Sequence, residues 1–200
     1  MAAKTMASAH FPRTPYARSH LILGGGSGAG VARPSRADTE VRSLIRPATP
    51  EDTAAAVDLV VAAEMFSADD AWLVEGMLAD YFETNKEDGH VCVIDDEGGP
   101  LGVAYYQPKI AADRVWDLTM IAVRPVCQGQ GRGAAMLRRV EEDLRAGGGR
   151  LLLVETSALA RYDRTRAFYV KCGYEEEARI RDYWAEGDDL VVFRKALDAY

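Results

Sequence analysis

Val123-Arg-Pro-Val-Cys-Gln128-Gly129-Gln130-Gly131-Arg132-Gly133-Ala134 carries three glycines at alternating positions. Before it, residues 115–123 read as a strand that Arg124-Pro125 ends. After it, Leu137, Val140 and Leu144 recur at helical spacing, so residues 131–146 read as a helix. A helix start exposes unpaired N–H groups and the positive end of the helix dipole. Glycines let a phosphate approach those groups without a Cβ in the way. Strand, glycine loop and helix in that order predict a site for a phosphorylated ligand.

The residues narrow the ligand. No Gly-Lys-Ser or Gly-Lys-Thr occurs, so the nucleoside-triphosphate loop is absent. Gly129-x-Gly131-x-x-Ala134 fits a dinucleotide fingerprint, and Glu155 ends the next strand, where a ribose ligand would stand. Against that, five residues separate Val123 from Gly129, whereas the fingerprint glycine follows its strand directly. Only 67 residues follow Gly133, too few to finish a dinucleotide domain. A second run, Gly24–Gly30, has no useful strand before it and Pro34 after it, and reads as linker.

Outward from the loop, strands and helices alternate. Residues 41–46 read as a strand. Thr49-Pro50-Glu51-Asp52 opens a helix, with a cap, a proline at the first turn and early acids. Residues 69–83 read as a second helix, with Leu73, Met77, Leu78 and Tyr81 on one face. Residues 90–94 and 101–107 are strands around an Asp95–Gly99 hairpin turn. Residues 151–155 form an apolar strand expected to be buried on both faces. Residues 163–171 form a helix closed by Gly173, and strands over 174–184 and 190–195 follow. The order β-α-α-β-β-β-α-β-α-β-β is an α/β mixture on a mixed sheet with flanking helices.

Composition bounds the class. With 48% hydrophobic and 28% charged residues among 200, about one ordinary globular domain is expected. A net charge of −7 argues against a nucleic-acid partner bound through phosphates. Cys92, Cys127 and Cys172 have no metal-ligand spacing, so neither a zinc site nor a disulfide framework is expected, and a reduced, cytoplasmic setting is the simplest expectation. No run is apolar enough to span a membrane. Residues 1–40 have five basic residues and no acid before Asp38, and are rich in Ala, Ser, Gly and Pro. They read as a flexible tail ahead of a domain over 41–200; a transit peptide and a non-native leader are the other readings.

Taken together, these motifs resemble those of a known family. Gln128-x-x-Gly131-x-Gly133 is similar to the Q/R-x-x-G-x-G/A loop of the GCN5-related N-acetyltransferases. Ile-Ala-Val-x-Pro stands before it. Ala-Phe-Tyr169-Val-Lys-Cys-Gly173-Tyr174 stands after it, like the family's FYxKxGF. The resemblance covers about residues 41–196. It implies the acyl-CoA N-acyltransferase fold and acetyl transfer from acetyl-CoA directly to an amine, with no metal. It implies that main-chain groups of Gln128, Gly129, Gly131, Arg132, Gly133 and Ala134 cradle the CoA pyrophosphate, and that main-chain groups of Ile121 and Val123 pair with the pantetheine arm. One departure is Tyr162, where members often carry an asparagine touching the cofactor.

The same resemblance makes Tyr169 the acid that protonates the leaving thiolate. An ammonium needs a base, and Asp117 and Glu155 are the candidates. Asp117 lies eleven residues before Gln128, where histone-type members carry a glutamate base; Trp116 and Leu118 beside it would raise its pKa by burial. Tyr183 is a candidate for lining the acceptor site. Cys127 lacks an evident histidine partner, His10, His20 and His90 being scattered. The alternative is a non-catalytic acyl-CoA-binding regulatory module. Residues 41–113 hold four basic and fifteen acidic residues, and 114–172 eleven and six. Arg124, Arg132, Arg138, Arg139, Arg161, Arg164 and Arg166 in the second segment would suit a polyanionic cofactor, and the acidic first segment a cationic amine or basic peptide. The acceptor's identity and the oligomeric state, a homodimer included, stay open.

Overall fold

The computed structural model of the protein describes residues 44–197. The expected tail over 1–40, the Gly24–Gly30 run, His10, His20 and the start of the 41–46 strand lie outside the described residues. Within them the elements are β1 (Leu44–Pro47), α1 (Thr53–Ala62), α2 (Ala71–Asp80), β2 (Val91–Asp96), β3 (Pro100–Pro108), β4 (Val115–Val123), α3 (Arg132–Ala146), β5 (Leu151–Ser157), α4 (Asp163–Lys171), β6 (Glu175–Ala185) and β7 (Asp188–Ala196). The seven strands form one sheet in the order β1-β2-β3-β4-β5-β7-β6. All neighbours are antiparallel except β4 and β5, and the connection between these two needs α3 to carry the chain back.

Each face of the sheet has its own core. Leu137, Val140 and Leu144 of α3 and Tyr169 of α4 pack with Leu118, Ile121, Val123, Leu152, Val154 and Phe193 on one face. Each such aliphatic side chain contributes about 1.5–3 kcal/mol by leaving water. Leu59 and Val60 of α1 and Val74 and Leu78 of α2 cover Cys92, Ile94, Val103, Tyr105, Met120 and Ala122 on the other.

Two features of β4 decide which side chains reach which face of the sheet. Against β3, Tyr105 pairs with Met120 and Tyr106 with Leu118, so Thr119 is an extra residue, a β-bulge. The bulge changes which alternate residues face which side. Ile121 and Val123 face α3 and α4, and so does Leu118, while Asp117 shares the α1/α2 face with Met120 and Ala122. Against β5, β4 pairs only from Val115↔Leu151 to Asp117↔Leu153. Beyond Asp117 the two strands part, while β5 stays paired with β7 through Ser157↔Leu190.

The differences from the expected elements have local causes. A 3-10 turn over Pro50–Asp52 precedes α1, because the Asp52 carboxylate accepts from the Thr49 N–H (2.8 Å) and from Arg46 (2.7 and 2.8 Å). The second helix is shorter than 69–83: a 3-10 turn over Ala68–Asp70 leads in, and Tyr81–Asn85 widens to a π-turn. Its most buried residues are Val74, Leu78 and Tyr81, and Val74 takes the place expected for Leu73 and Met77, which are only partly covered. β2 reaches Asp96, so the hairpin turn is tighter than Asp95–Gly99. β5 is not buried on both faces. Leu152, Val154 and Thr156 are buried, while Leu151, Leu153 and Glu155 on the α1/α2 side are only partly covered.

Candidate active site

The glycine loop meets the start of α3. Gly129 and Gly131 have φ of +75° and +85°, backbone that L side chains rarely adopt. Gly131 caps the helix, and its carbonyl accepts the first helical bond from the Ala135 N–H at 2.9 Å. The N–H groups of Arg132, Gly133 and Ala134 therefore have no partner within the helix. Gly133 has another role: a Cβ there would stand 3.3 Å from the Phe168 ring, so its smallness lets α3 and α4 approach.

The β4 edge toward β5 is the second wall. The Arg124 N–H donates to the Leu101 carbonyl at 2.8 Å, which turns the main-chain groups of Val123 and Ile121 the other way, into the gap. The Gln128 side-chain amide donates to the Val123 carbonyl at 2.9 Å. That bond ties the loop to the strand it follows.

From the loop a groove of about 830 Å³ runs between α3 and α4. Val123, Gln128, Gly129, Gly131, Gly133 and Ala134 line its mouth, and Arg138, Arg145, Arg164, Lys171 and Lys195 bring positive charge to its walls. Glu141 and Glu142 also line it, and Glu141 pairs with Lys195 (2.8 Å) and Arg145 (3.3 Å) and accepts from the Tyr174 hydroxyl (3.2 Å). The arrangement suits an elongated ligand carrying phosphate.

On the opposite face, where β4 and β5 part, stand two carboxylates. Asp117 is 4% exposed, and one oxygen, Oδ1, has no hydrogen-bond partner among the described residues. Burial pushes its pKa up to about 6; nearby Lys109 lowers it and Glu155 raises it. Lys109 Nζ lies 3.7 Å from Asp117 and 3.6 Å from Glu155. Tyr169 is fully buried among Phe168, Tyr174 and Phe193, and its hydroxyl has no partner among the described residues. Burial holds the phenol protonated well beyond its ordinary range.

A family model described as an acetyltransferase (GNAT) domain matches residues 87–176. A GNAT-family protein from Desulfovibrio desulfuricans is 30% identical, with a TM-score of 0.73 over 77% of this chain and 98% of that one. The chain belongs to the GNAT family of acetyltransferases. Two more distant GNAT-like structures share the fold. The Salmonella typhimurium protein yncA, solved with its cofactor acetyl-CoA, is 20% identical, with a TM-score of 0.66 over 80% of this chain and 96% of that one. The ribosomal-protein-S18-alanine N-acetyltransferase of Escherichia coli is 21% identical, with a TM-score of 0.64 over 79% and 96%. No curated protein matches the chain in sequence.

Within this GNAT domain the loop residues and Val123 share one groove, while Ile121, Asp117, Glu155 and Tyr169 are not among its lining residues. Gln128, Gly129, Gly131, Gly133 and Ala134 line the groove, and Ile121 and Val123 form the β4 edge. Arg132 departs from expectation. Its buried guanidinium turns to Asp95 (3.0 and 3.1 Å) and Glu97 at the β2–β3 hairpin, so its charge serves packing rather than a polyanionic ligand. Arg139 pairs with Asp143, Arg166 with Asp163, Arg161 lies over the Tyr162 ring, and Arg124 donates to the Pro100 carbonyl. Of the seven expected arginines, Arg138 and Arg164 line the groove. Tyr162, at the place of the family's asparagine, is buried. Tyr183 lies on β6, two strands from β5, and packs edge-on against Trp184. Among the described residues no helix is long and apolar enough to cross a membrane, and no cluster of His, Cys, Asp and Glu could hold a metal.

Sequence reasoning missed Lys109, Arg145, Lys171 and Lys195. Lys171 stood inside the FYxKxGF-like run and was legible there. Lys109 and Lys195 reach the site only through sheet register, which no local pattern reveals.

Proposed function

We propose that this acetyltransferase moves the acetyl group of acetyl-CoA directly onto a primary amine. The observation that carries this reading is the parting of β4 and β5 beyond Asp117. In this reading it joins the groove on the α3/α4 face, which Val123 of β4 also lines, to the carboxylates on the α1/α2 face, so that donor and acceptor would approach from opposite sides. Holding two reactants face to face supplies a large share of the rate.

The residues present fit acetyl-CoA. The glycines at positive φ keep side chains off the loop's N–H groups, and the groove carries cations. The buried Tyr169 hydroxyl has a proton and, among the described residues, no partner to give it to. When bound, acetyl-CoA supplies an activated thioester. The N–H groups at the α3 start would hold its pyrophosphate. The main-chain edge of Ile121 and Val123 would align the pantetheine arm, and an N–H there would stabilise the charge that develops on the carbonyl. Asp117, with Glu155 beside it, would take the ammonium proton. Tyr169 would protonate the departing thiolate.

The acceptor we favour is cationic, a small amine or basic peptide. The supporting feature is the acidic segment over 41–113, whose net charge of −11 includes α1 and α2. Calorimetry with acetyl-CoA, then CoA release with spermidine, L-lysine, L-glutamate and an alanine-terminated peptide, tests both statements. Tight acetyl-CoA binding with no CoA release beyond hydrolysis would favour a non-catalytic binding module. A best acceptor whose KM ignores added salt, or a preference for glutamate, would overturn the cationic acceptor.

A further inference from the structure

Lys109 belongs to none of the motifs that mark the site, yet its ammonium stands between the two carboxylates at the gap. We propose that Lys109 is a positioning residue of acetyl transfer: fixed between Asp117 and Glu155, it keeps Asp117 an ionised, proton-accepting base. The proposal rests on the reading of Asp117 as the base.

The geometry is built by three elements. Gln107 of β3 pairs with Asp117 of β4, so Lys109, two residues on, emerges on the same face. The Lys109 N–H donates to the Val115 carbonyl (2.8 Å) and its carbonyl accepts from the Ala112 N–H (2.9 Å), which fixes where the side chain starts. On β5, Leu153 pairs with Asp117, and Glu155 is two residues further, on the face opposite buried Leu152 and Val154. Nζ then reaches both carboxylates, at 3.7 and 3.6 Å.

The arrangement has a chemical consequence. Two carboxylates near each other, one of them buried, cannot both stay charged without help; one takes up a proton. The charged groups bearing on Asp117 are Lys109 from the β3 end and Glu155 from β5. Burial and Glu155 both drive Asp117 toward the neutral acid, and Lys109 opposes them. An Asp117 that already holds a proton cannot take one from the acceptor. Neutral solution is where this matters, because native Asp117 titrates near 6.

The test reads the carboxyl itself and then the reaction. Carbon-13 titration of aspartate-labelled protein, with the Asp117 signal assigned by Asp117→Asn, should show a native midpoint near 6. Lys109→Met should move that midpoint up by about one unit, equivalent to tenfold in protonation. Lys109→Arg should leave it near native. The acidic limb of kcat/KM, measured with whichever amine proves the best acceptor, should move with the midpoint, and the rate should recover at alkaline pH. A midpoint that stays in place in Lys109→Met overturns the role of Lys109. A midpoint that moves while the limb stays in place refutes Asp117 as the base, and with it any part for Lys109 in the reaction. A Lys109→Met enzyme that is slow at every pH also refutes the proposal, since restored ionisation would then fail to restore the rate.

Discussion

The side-chain amide of Gln128 closes a 2.9 Å hydrogen bond onto the main-chain carbonyl of Val123, five residues earlier. The bond holds the turn between strand and helix at one angle. It also occupies a carbonyl that faces the open gap. Gln128→Ala should leave the fold intact, with a loss of about 1 kcal/mol. Acetyl-CoA affinity should fall about fivefold, because the cradle is no longer pre-set. Calorimetry on the folded variant decides it, and unchanged affinity would refute the positioning role.

The loop glycines should separate by mechanism. Gly131→Ala places a Cβ at φ +85° and should cost about 1 kcal/mol from backbone strain alone. Gly131→Asp should in addition abolish acetyl-CoA binding by like charge against the pyrophosphate. Gly133→Ala instead pushes on the Phe168 ring 3.3 Å away. Its loss, about 1–2 kcal/mol of overpacking, should be largely recovered by adding Phe168→Leu. Thermal melts of the two single variants and the double variant read the coupling. Additive losses would contradict the contact.

Tyr169→Phe should dissociate stability from turnover. The hydroxyl it removes is buried without a partner among the described residues, so stability should hold or rise by up to about 1 kcal/mol. Acetyl-CoA affinity should stay within about twofold, while kcat falls about a hundredfold if the phenol is the general acid. Native turnover in the variant would move the acid role elsewhere.

Asp117 makes stability depend on pH in a definite direction. Its folded pKa, about 6, lies above the ordinary 3.8, so burial penalises the charged form. The penalty is absent where the group is protonated in both states, below about pH 4, and complete above about pH 6. Its full size is about 2–3 kcal/mol. Asp117→Asn should therefore stabilise the protein at pH 8 by a margin that vanishes near pH 4, while slowing acetyl transfer. Urea unfolding at the two pH values is the measurement. An equal effect at both would show that the carboxyl is not strained by burial.

Periodicity located the elements well where the pattern is local. The bounds expected for β4, Val115–Val123, and for α4, Asp163–Lys171, coincide with those observed. The strand-loop-helix order likewise placed Gln128, Gly131 and Gly133 at one groove. What escaped was whatever depends on a distant partner. Asp95 was expected in a turn; it lies in β2, buried and paired with Arg132, 37 residues away. Val74 is buried with Leu78 and Tyr81 at i, i+4 and i+7, and spacing alone does not say which of the overlapping stripes through Leu73, Val74 and Met77 the sheet covers. Arg46, Asp52 and Asp96 form one ion-pair group that ties β1 to β2 and to the start of α1. Nothing in a stretch of chain announces such a group before register is known.

The extra residue at Thr119 acts on β4 as an inserted letter acts on a reading frame. Every position after it is read on the opposite side of the sheet. Strike it out and the phase of the strand is restored, with a spatial result: either Asp117 rotates among Leu137, Val140 and Tyr169, or Ile121 and Val123 rotate away from them. In either case the acceptor-side carboxylate and the donor-side strand edge no longer belong to opposite faces of one gap. A single-residue deletion at 119 is thus a stronger lesion than any substitution there, because it scrambles the assignment of faces rather than one contact. Thr119→Val should be tolerated where the deletion is not.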